Sequence, residues 1–207
     1  MALDLQDQEE LENAKRAWKL WGRWVFFAML IAAALYLGNI VWKGQIEKRN
    51  AAAATMYDSE FAAAIAKGDN ANALKGLQKI QSEYPQTFAA AQATLIAADD
   101  AFVNGKYDEA ANHLKWLMQT QKHPLIRATV VQRLATVYLQ QGKFDDALSV
   151  LNEKVEPEFA ARIAELKGDI YLAQGKKTEA KQAFDLALKQ LPQDDPNRSL
   201  VEMKSKL

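Results

Sequence analysis

The chain has 207 residues, 26 basic and 26 acidic, so its formal charge is zero; 49% are hydrophobic and none is cysteine. The missing cysteines exclude a disulfide scaffold, thiol catalysis and cysteine-built zinc sites, and fit an oxidising compartment. Zero net charge argues against a domain held to nucleic acid by bulk charge, and the length suits one or two domains with a sizeable core.

Residues 1–23 hold five acids (Asp4, Asp7, Glu9, Glu10, Glu12) and four bases (Lys15, Arg16, Lys19, Arg23), with Leu3, Leu5, Leu11, Trp18 and Trp21 among them. They read as a frayed cytoplasmic tail. The rival reading is a short partner-binding or membrane-surface helix over Asp7–Lys19, where acids come early and bases late along the helix dipole.

Residues 24–42, WVFFAMLIAAALYLGNIVW, contain no charge over 19 positions. As a helix they span roughly 28 Å, close to a hydrocarbon core of about 30 Å. Trp18, Trp21 and Trp24 stand at one edge and Trp42 at the other, an aromatic belt. Basic residues flank both edges: Lys15, Arg16, Lys19 and Arg23, then Lys43, Lys48 and Arg49. This predicts a transmembrane anchor. A buried core helix rarely clusters charges at both ends, and a cleaved signal peptide, which Ala51–Ala53 would suit, has a shorter apolar run. The basic bias is slight, but a short tail stays inside while a long following domain is translocated, so the N-terminus is predicted cytoplasmic. Ala34 and Gly38 form a small-xxx-small pair, and Gly44 is placed to break or bend the path out of the span.

From about residue 45 the chain is rich in Ala, Leu, Gln, Lys and Glu, all good helix formers. Four turns recur at Gly68, Gly105, Gly142 and Gly175, spaced 37, 37 and 33 residues apart. At each, glycine ends a helix cheaply in the left-handed conformation. The fifth residue after each is Ala: Ala73, Ala110, Ala147 and Ala180. Small residues there let two helices approach closely. Helices are predicted over 46–66, 70–83, 86–103, 107–121, 125–140, 144–153, 157–173 and 177–190, with a capping helix within 193–207. Pro85, Pro124, Pro157 and Pro192 fall between them or in their first turns, where proline is tolerated.

This pattern resembles the tetratricopeptide repeat, a helix–turn–helix unit of about 34 residues. The last copy carries Gly168, Tyr171, Gly175, Ala180, Phe184, Ala187 and Pro192 at signature places, and departs at Ala164, Lys167 and Lys177. The third copy keeps Leu134, Tyr138, Phe144 and Ala147 but has Ala135 for the inner Gly; the second keeps Tyr107, Ala110 and Leu114; the first keeps Ala73, Leu77 and Pro85. The fold class is thus all-α: a tetratricopeptide-like solenoid of helical hairpins behind one N-terminal transmembrane helix. Its domains are a cytoplasmic tail (1–23), a span (24–42) and a repeat domain (45–207).

In such repeats the concave surface comes mainly from the first helix of each pair. The resemblance places Gln92, Leu95, Asp99 and Phe102, then Thr129, Gln132, Thr136 and Leu139, then Arg162, Glu165, Asp169 and Leu172 on that face. Leu95, Phe102, Leu139 and Leu172 form either an apolar strip there or part of the inter-repeat core. Repeats that hold a C-terminal carboxylate do so with Lys and Asn. Here those places carry Leu95, Asp99, Gln132, Thr136, Glu165 and Asp169, a departure from that subclass.

Nothing in the chain reads as catalytic. There is no phosphate loop, G-x-S-x-G or H-E-x-x-H. His113 reads as a surface or edge residue and His123 as structural beside Pro124. Adjacent helical acids such as Asp99–Asp100 and Asp145–Asp146 point about 100° apart, unlike paired glycosidase carboxylates.

The whole layout resembles the YfgM-like family, the ancillary subunit of the bacterial Sec translocon: the tail QDQEELENAKRAWKLWGRW, one span, an Ala-rich helix with Tyr57 and Phe61, then degenerate repeats. The resemblance implies a single-pass inner-membrane protein with a periplasmic repeat domain, no cofactor and no catalytic residue. The implied partners are the SecYEG channel and PpiD, a membrane-anchored periplasmic chaperone related to prolyl isomerases. The implied role is an adaptor that passes emerging chains to periplasmic chaperones. The same features would also suit a scaffold for another envelope complex, such as outer-membrane assembly or division.

Overall fold

The computed structural model describes residues 2–207; Met1 and the side chains at 2–10, 14, 17, 20 and 23 lie outside the description. The readings that rest on Leu3, Leu5, the first four acids and the Arg23 side chain fall there. The described residues form helices and turns with no strand, in two units, Met1–Arg49 and Asn50–Leu207.

The first unit lies within helix α1, Ala2–Met56. Residues 2–23, read above as a frayed tail, are helical: their acids precede their bases, and Arg16 reaches back to Glu12 at 3.3 Å. Gly44 does not break α1, because one glycine costs a helix only about 1 kcal/mol. From Trp24 the helix is long and apolar enough to cross a membrane, with a mean hydropathy of 2.1 and no buried residue in its most apolar window.

The second unit is a row of helical hairpins. A π-helical turn, Tyr57–Ala62, and α2, Ala63–Ala66, lead to α3, Asn70–Glu83. Then come α4 (Phe88–Val103), α5 (Tyr107–Thr120), α6 (Pro124–Gln140) and α7 (Phe144–Val150). A 3-10 turn, Pro157–Phe159, opens onto α8 (Ala160–Ala173), followed by α9 (Lys177–Gln190) and α10 (Arg198–Lys204).

Four details depart from the sequence reading. The helix expected over 46–66 contains the π turn. Helix α4 starts at Phe88 rather than 86, because Thr87 is its cap and accepts the Ala90 N–H at 3.3 Å. The α7 helix stops at Val150, and the one expected from 157 begins as 3-10. The capping helix expected within 193–207 is present as Arg198–Lys204.

The turn glycines have φ of 70°, 73°, 69° and 75°. After each, the next N–H bonds back five residues, as in Lys106 to the Ala101 carbonyl at 2.8 Å and Lys176 to the Tyr171 carbonyl at 2.9 Å. The glycine N–H itself bonds back three residues, as in Gly105 to the Phe102 carbonyl at 3.0 Å, and this double closure satisfies carbonyls that a helix end leaves orphaned. It also fixes the register of the facing helices. Seven residues before the glycines stand Phe61, Ala98, Ala135 and Gly168; nine residues after stand Leu77, Leu114, Leu151 and Phe184. All eight are buried, and they form the centre of the core together with the alanines five places after each glycine. Helix α10 closes the far end. Its Val201 is fully buried beside Ala180, Phe184 and Ala187, and Arg198 donates to the Leu188 and Leu191 carbonyls at 2.9 and 3.1 Å.

Candidate partner-binding groove

Helices α4, α6 and α8, the first helices of successive hairpins, line a groove of about 280 Å³. Its floor is apolar: Ala98 and Phe102 from α4, Leu114 from α5, Val137 from α6 and Leu166 from α8. Its rim is polar and charged, with Asp99, Gln132, Arg133, Thr136, Arg162, Glu165 and Asp169. The Phe102 ring is fixed from behind by Tyr107, with ring centroids 5.4 Å apart.

The rim charges are held by one another. Arg133 on α6 is paired with Asp99 on α4. Glu165 is the unusual member, with only 5% of its side chain exposed. A carboxylate so buried costs several kcal/mol unless it is paired and hydrogen-bonded. Both its oxygens are satisfied: Arg162 donates to Oε2 at 2.5 Å and Lys204 to Oε1 at 2.9 Å. Lys204 also donates to Asp169, one turn further along α8, at 2.9 Å. Its ammonium stands 5.8 Å from the Phe184 ring centroid. Burial pulls the Lys204 pKa down, but the hydrogen bonds to Asp169 and Glu165 outweigh that and raise it above the ordinary lysine value.

Seven of the twelve residues placed on the concave face by sequence line this groove: Asp99, Phe102, Gln132, Thr136, Arg162, Glu165 and Asp169. The other five lie elsewhere. Gln92 borders a separate depression with Asn50, Tyr57 and Phe88. Thr129 turns its hydroxyl to its own Leu125 carbonyl at 2.9 Å. Leu95 and Leu139 pack on the central core, and Leu172 on the terminal cluster around Phe184. Phe102 does both, lining the groove while resting on the core.

Two charged residues of this network escaped the sequence reading: Arg133, which lines the groove, and Lys204, which pairs with two of its carboxylates. Arg133 stands 34 residues after Asp99, three short of the 37 that separate the turn glycines of these two copies, so the repeat spacing did not point to the pair. Lys204 belongs to no repeat. Its signal was the carboxylate pair Glu165 and Asp169, four residues apart on one helix face with Arg162 alone beside it. His113, read as a surface or edge residue, sits at an edge, with 16% of its side chain exposed. Asp99 and Asp100 do diverge, Asp100 accepting from Asn104 at 3.1 Å. Among the described residues no group of three or more His, Asp or Glu is placed to hold a metal ion.

Hairpins closed by left-handed glycines, small residues at the helix crossings and a groove along the first helices define a tetratricopeptide-type repeat protein. A tetratricopeptide repeat-like domain family model matches residues 15–206, nearly the whole chain. The ancillary SecYEG translocon subunit of Neisseria gonorrhoeae is 42% identical over 204 residues, covering 99% of this chain and 98% of that protein. The proteins of the same description from Haemophilus influenzae and Escherichia coli are 28% and 23% identical, over 90% and 95% of this chain and 91% and 92% of their own lengths. The chain belongs to the ancillary SecYEG translocon subunit family.

Proposed function

We propose that this chain is a membrane-anchored adaptor that associates with the SecYEG translocon and passes emerging proteins to periplasmic chaperones through a PpiD-like partner. The observation that carries the reading is 42% identity to an ancillary SecYEG translocon subunit along the whole chain, N-terminal helix included. Residues 24–42 span the inner membrane, with 1–23 in the cytoplasm and 45–207 in the periplasm. The mechanism is tethering. Confinement to the membrane surface raises the local concentration of the repeat domain beside a membrane partner, so that weak contacts suffice. The groove between α4, α6 and α8 is the partner-binding face, and its role is to hold rather than to react.

Affinity purification of the full chain from solubilised membranes tests this. SecYEG and a PpiD-like chaperone are the expected companions. SecYEG without the chaperone would remove the handover and keep the adaptor. An outer-membrane assembly or division complex in place of both would replace the reading with that of another envelope scaffold.

A further inference from the structure

The groove is apolar at its floor and charged at its rim, and these two features select different ligands. The volume favours a side chain. A cavity of about 150 Å³ lined by apolar residues takes up benzene. At about 280 Å³, the groove has room for one large aromatic or branched side chain and part of its backbone.

The rim then discriminates by charge. Three carboxylates (Asp99, Glu165, Asp169) face three cations (Arg133, Arg162, Lys204), and each is hydrogen-bonded within the set. Their charges cancel. A basic ligand finds Glu165 and Asp169 already taken by Lys204, and an acidic ligand finds the charge of Arg133 and Arg162 already balanced by Asp99 and Glu165. An uncharged segment needs neither. It can still be gripped along its backbone, because a guanidinium carries five N–H donors and a single carboxylate oxygen engages one. Arg133 and Arg162 keep 40% and 58% of their side chains exposed.

Lys204 decides this balance from outside the repeats. It reaches in from α10 and occupies two carboxylates at once. Remove it, and Glu165 and Asp169 face Arg162 alone. Lys204 keeps 23% of its side chain exposed, so its removal opens both carboxylates to a cation from outside. The groove would then carry an unfilled site for a cation.

We propose that the groove recognises an uncharged partner segment through one large apolar side chain, and that Lys204 is the specificity-determining residue that makes it refuse a basic one. A segment of that kind is what a secreted chain exposes before it folds. This rests on the groove being the partner-binding face.

The test uses the full-length protein in lipid nanodiscs and four labelled twelve-residue peptides read by fluorescence anisotropy. One is a Gly/Ser/Gln peptide with a central Phe; the others replace the Phe by Ala, or flank it with two Lys or with two Glu. The neutral Phe peptide is expected to bind tightest, with at least about tenfold lost on replacing Phe by Ala. Both charged peptides are expected to be weaker by about tenfold. Thr136→Trp, which fills the groove, is expected to abolish binding of the neutral peptide. Lys204→Met is expected to bring the Lys-flanked peptide up by about tenfold, and Lys204→Arg to leave the wild-type order.

Lys204→Cys offers a second reading in a chain without other cysteines. Aminoethylation of the thiol rebuilds a lysine-like ammonium and should restore the refusal. The proposal is overturned if the Lys-flanked peptide binds the wild type as well as the neutral one, or if the central Phe adds nothing. It is also overturned if folded Lys204→Met keeps the wild-type order. Should Lys204→Met and Lys204→Cys both lose their helical signal, the wild-type ranking and Thr136→Trp decide. Failure of all four peptides to bind, with SecYEG still co-purifying, sinks this inference and leaves the translocon reading intact. The expected ranking without SecYEG does the opposite.

Discussion

In the last hairpin, Gly168 on α8 lies under the ring of Phe184 on α9. In the first hairpin, Phe61 holds the place equivalent to Gly168, and the glycine, Gly76, is on the second helix. A Cβ added at Gly168 would sit 2.5 Å from the Phe184 ring; one added at Gly76 would sit 3.0 Å from the carbonyl carbon of Glu60, in the π turn. The two middle hairpins use neither device and set Ala98 against Leu114 and Ala135 against Leu151. The crossing is thus closed in a different way at each end of the domain: Gly168 admits the Phe184 ring, and Gly76 admits the backbone of Glu60 and Phe61. Protein interiors are packed to crystal density, so each of these approaches leaves no room for an added methyl without a shift.

The largest effect is expected at Gly168→Ala. Helix propensity would gain about 1 kcal/mol. The new methyl would collide with a fully buried ring that has no room to withdraw. We expect a net loss of about 2 kcal/mol, or roughly 4–8 °C in melting temperature, followed by circular dichroism of the full-length protein. Adding Phe184→Leu recreates the Ala/Leu pair of the middle hairpins and should recover at least about 1 kcal/mol of coupling. Simple additivity would show that the Gly168–Phe184 approach does not set the spacing of this hairpin.

Gly76→Ala should cost less, about 1 kcal/mol, because its contacts at 3.0–3.1 Å are tight rather than impossible. They are contacts to backbone, however, which cannot rotate away. A stabilised Gly76→Ala variant would mean that the π turn gives way freely, and the contrast between the two hairpins would then dissolve.

The difference between the hairpins also explains what the sequence made legible. The last copy was readable because Gly168, Gly175 and Phe184 coincide with signature places, and the turn glycines were readable because only glycine reaches positive φ without strain. The first copy was obscured because its glycine had changed helices. The π turn at Tyr57–Ala62 has no composition signal, since Ala-rich sequence suits an α-helix equally well. In the groove, residues on the first helices followed from the repeat register, which brought seven of the named positions together. The leucines among them went to the core instead, because a side chain at the edge of a helix face can turn either way and burial decides. Lys204 was illegible for a different reason. Its partners lie 35 and 39 residues back, and no repeat template extends to the last helix.

The smallest effect concerns the place Gly76 occupies, eight residues past the turn glycine. In the second hairpin that place holds His113, against a depression lined by Asn70, Asp100, Lys106 and Glu109. Burial pushes the His113 pKa below its ordinary value, and the Glu109 carboxylate, 3.9 Å away, only partly opposes this. A histidine that binds its proton less readily when folded favours the folded state while it is neutral. Below an unfolded pKa of about 6.5, the unfolded chain takes up the proton first, and stability falls as the pH drops towards the folded pKa. His113→Gln removes this dependence and keeps a polar side chain of similar reach. Melting curves from about pH 7 down to about pH 5.5, above the carboxylate range, should therefore show a shallower decline for the variant than for the wild type. Identical slopes would mean that the second hairpin opens to water at His113, and that the tight crossing at Gly76 has no buried counterpart there.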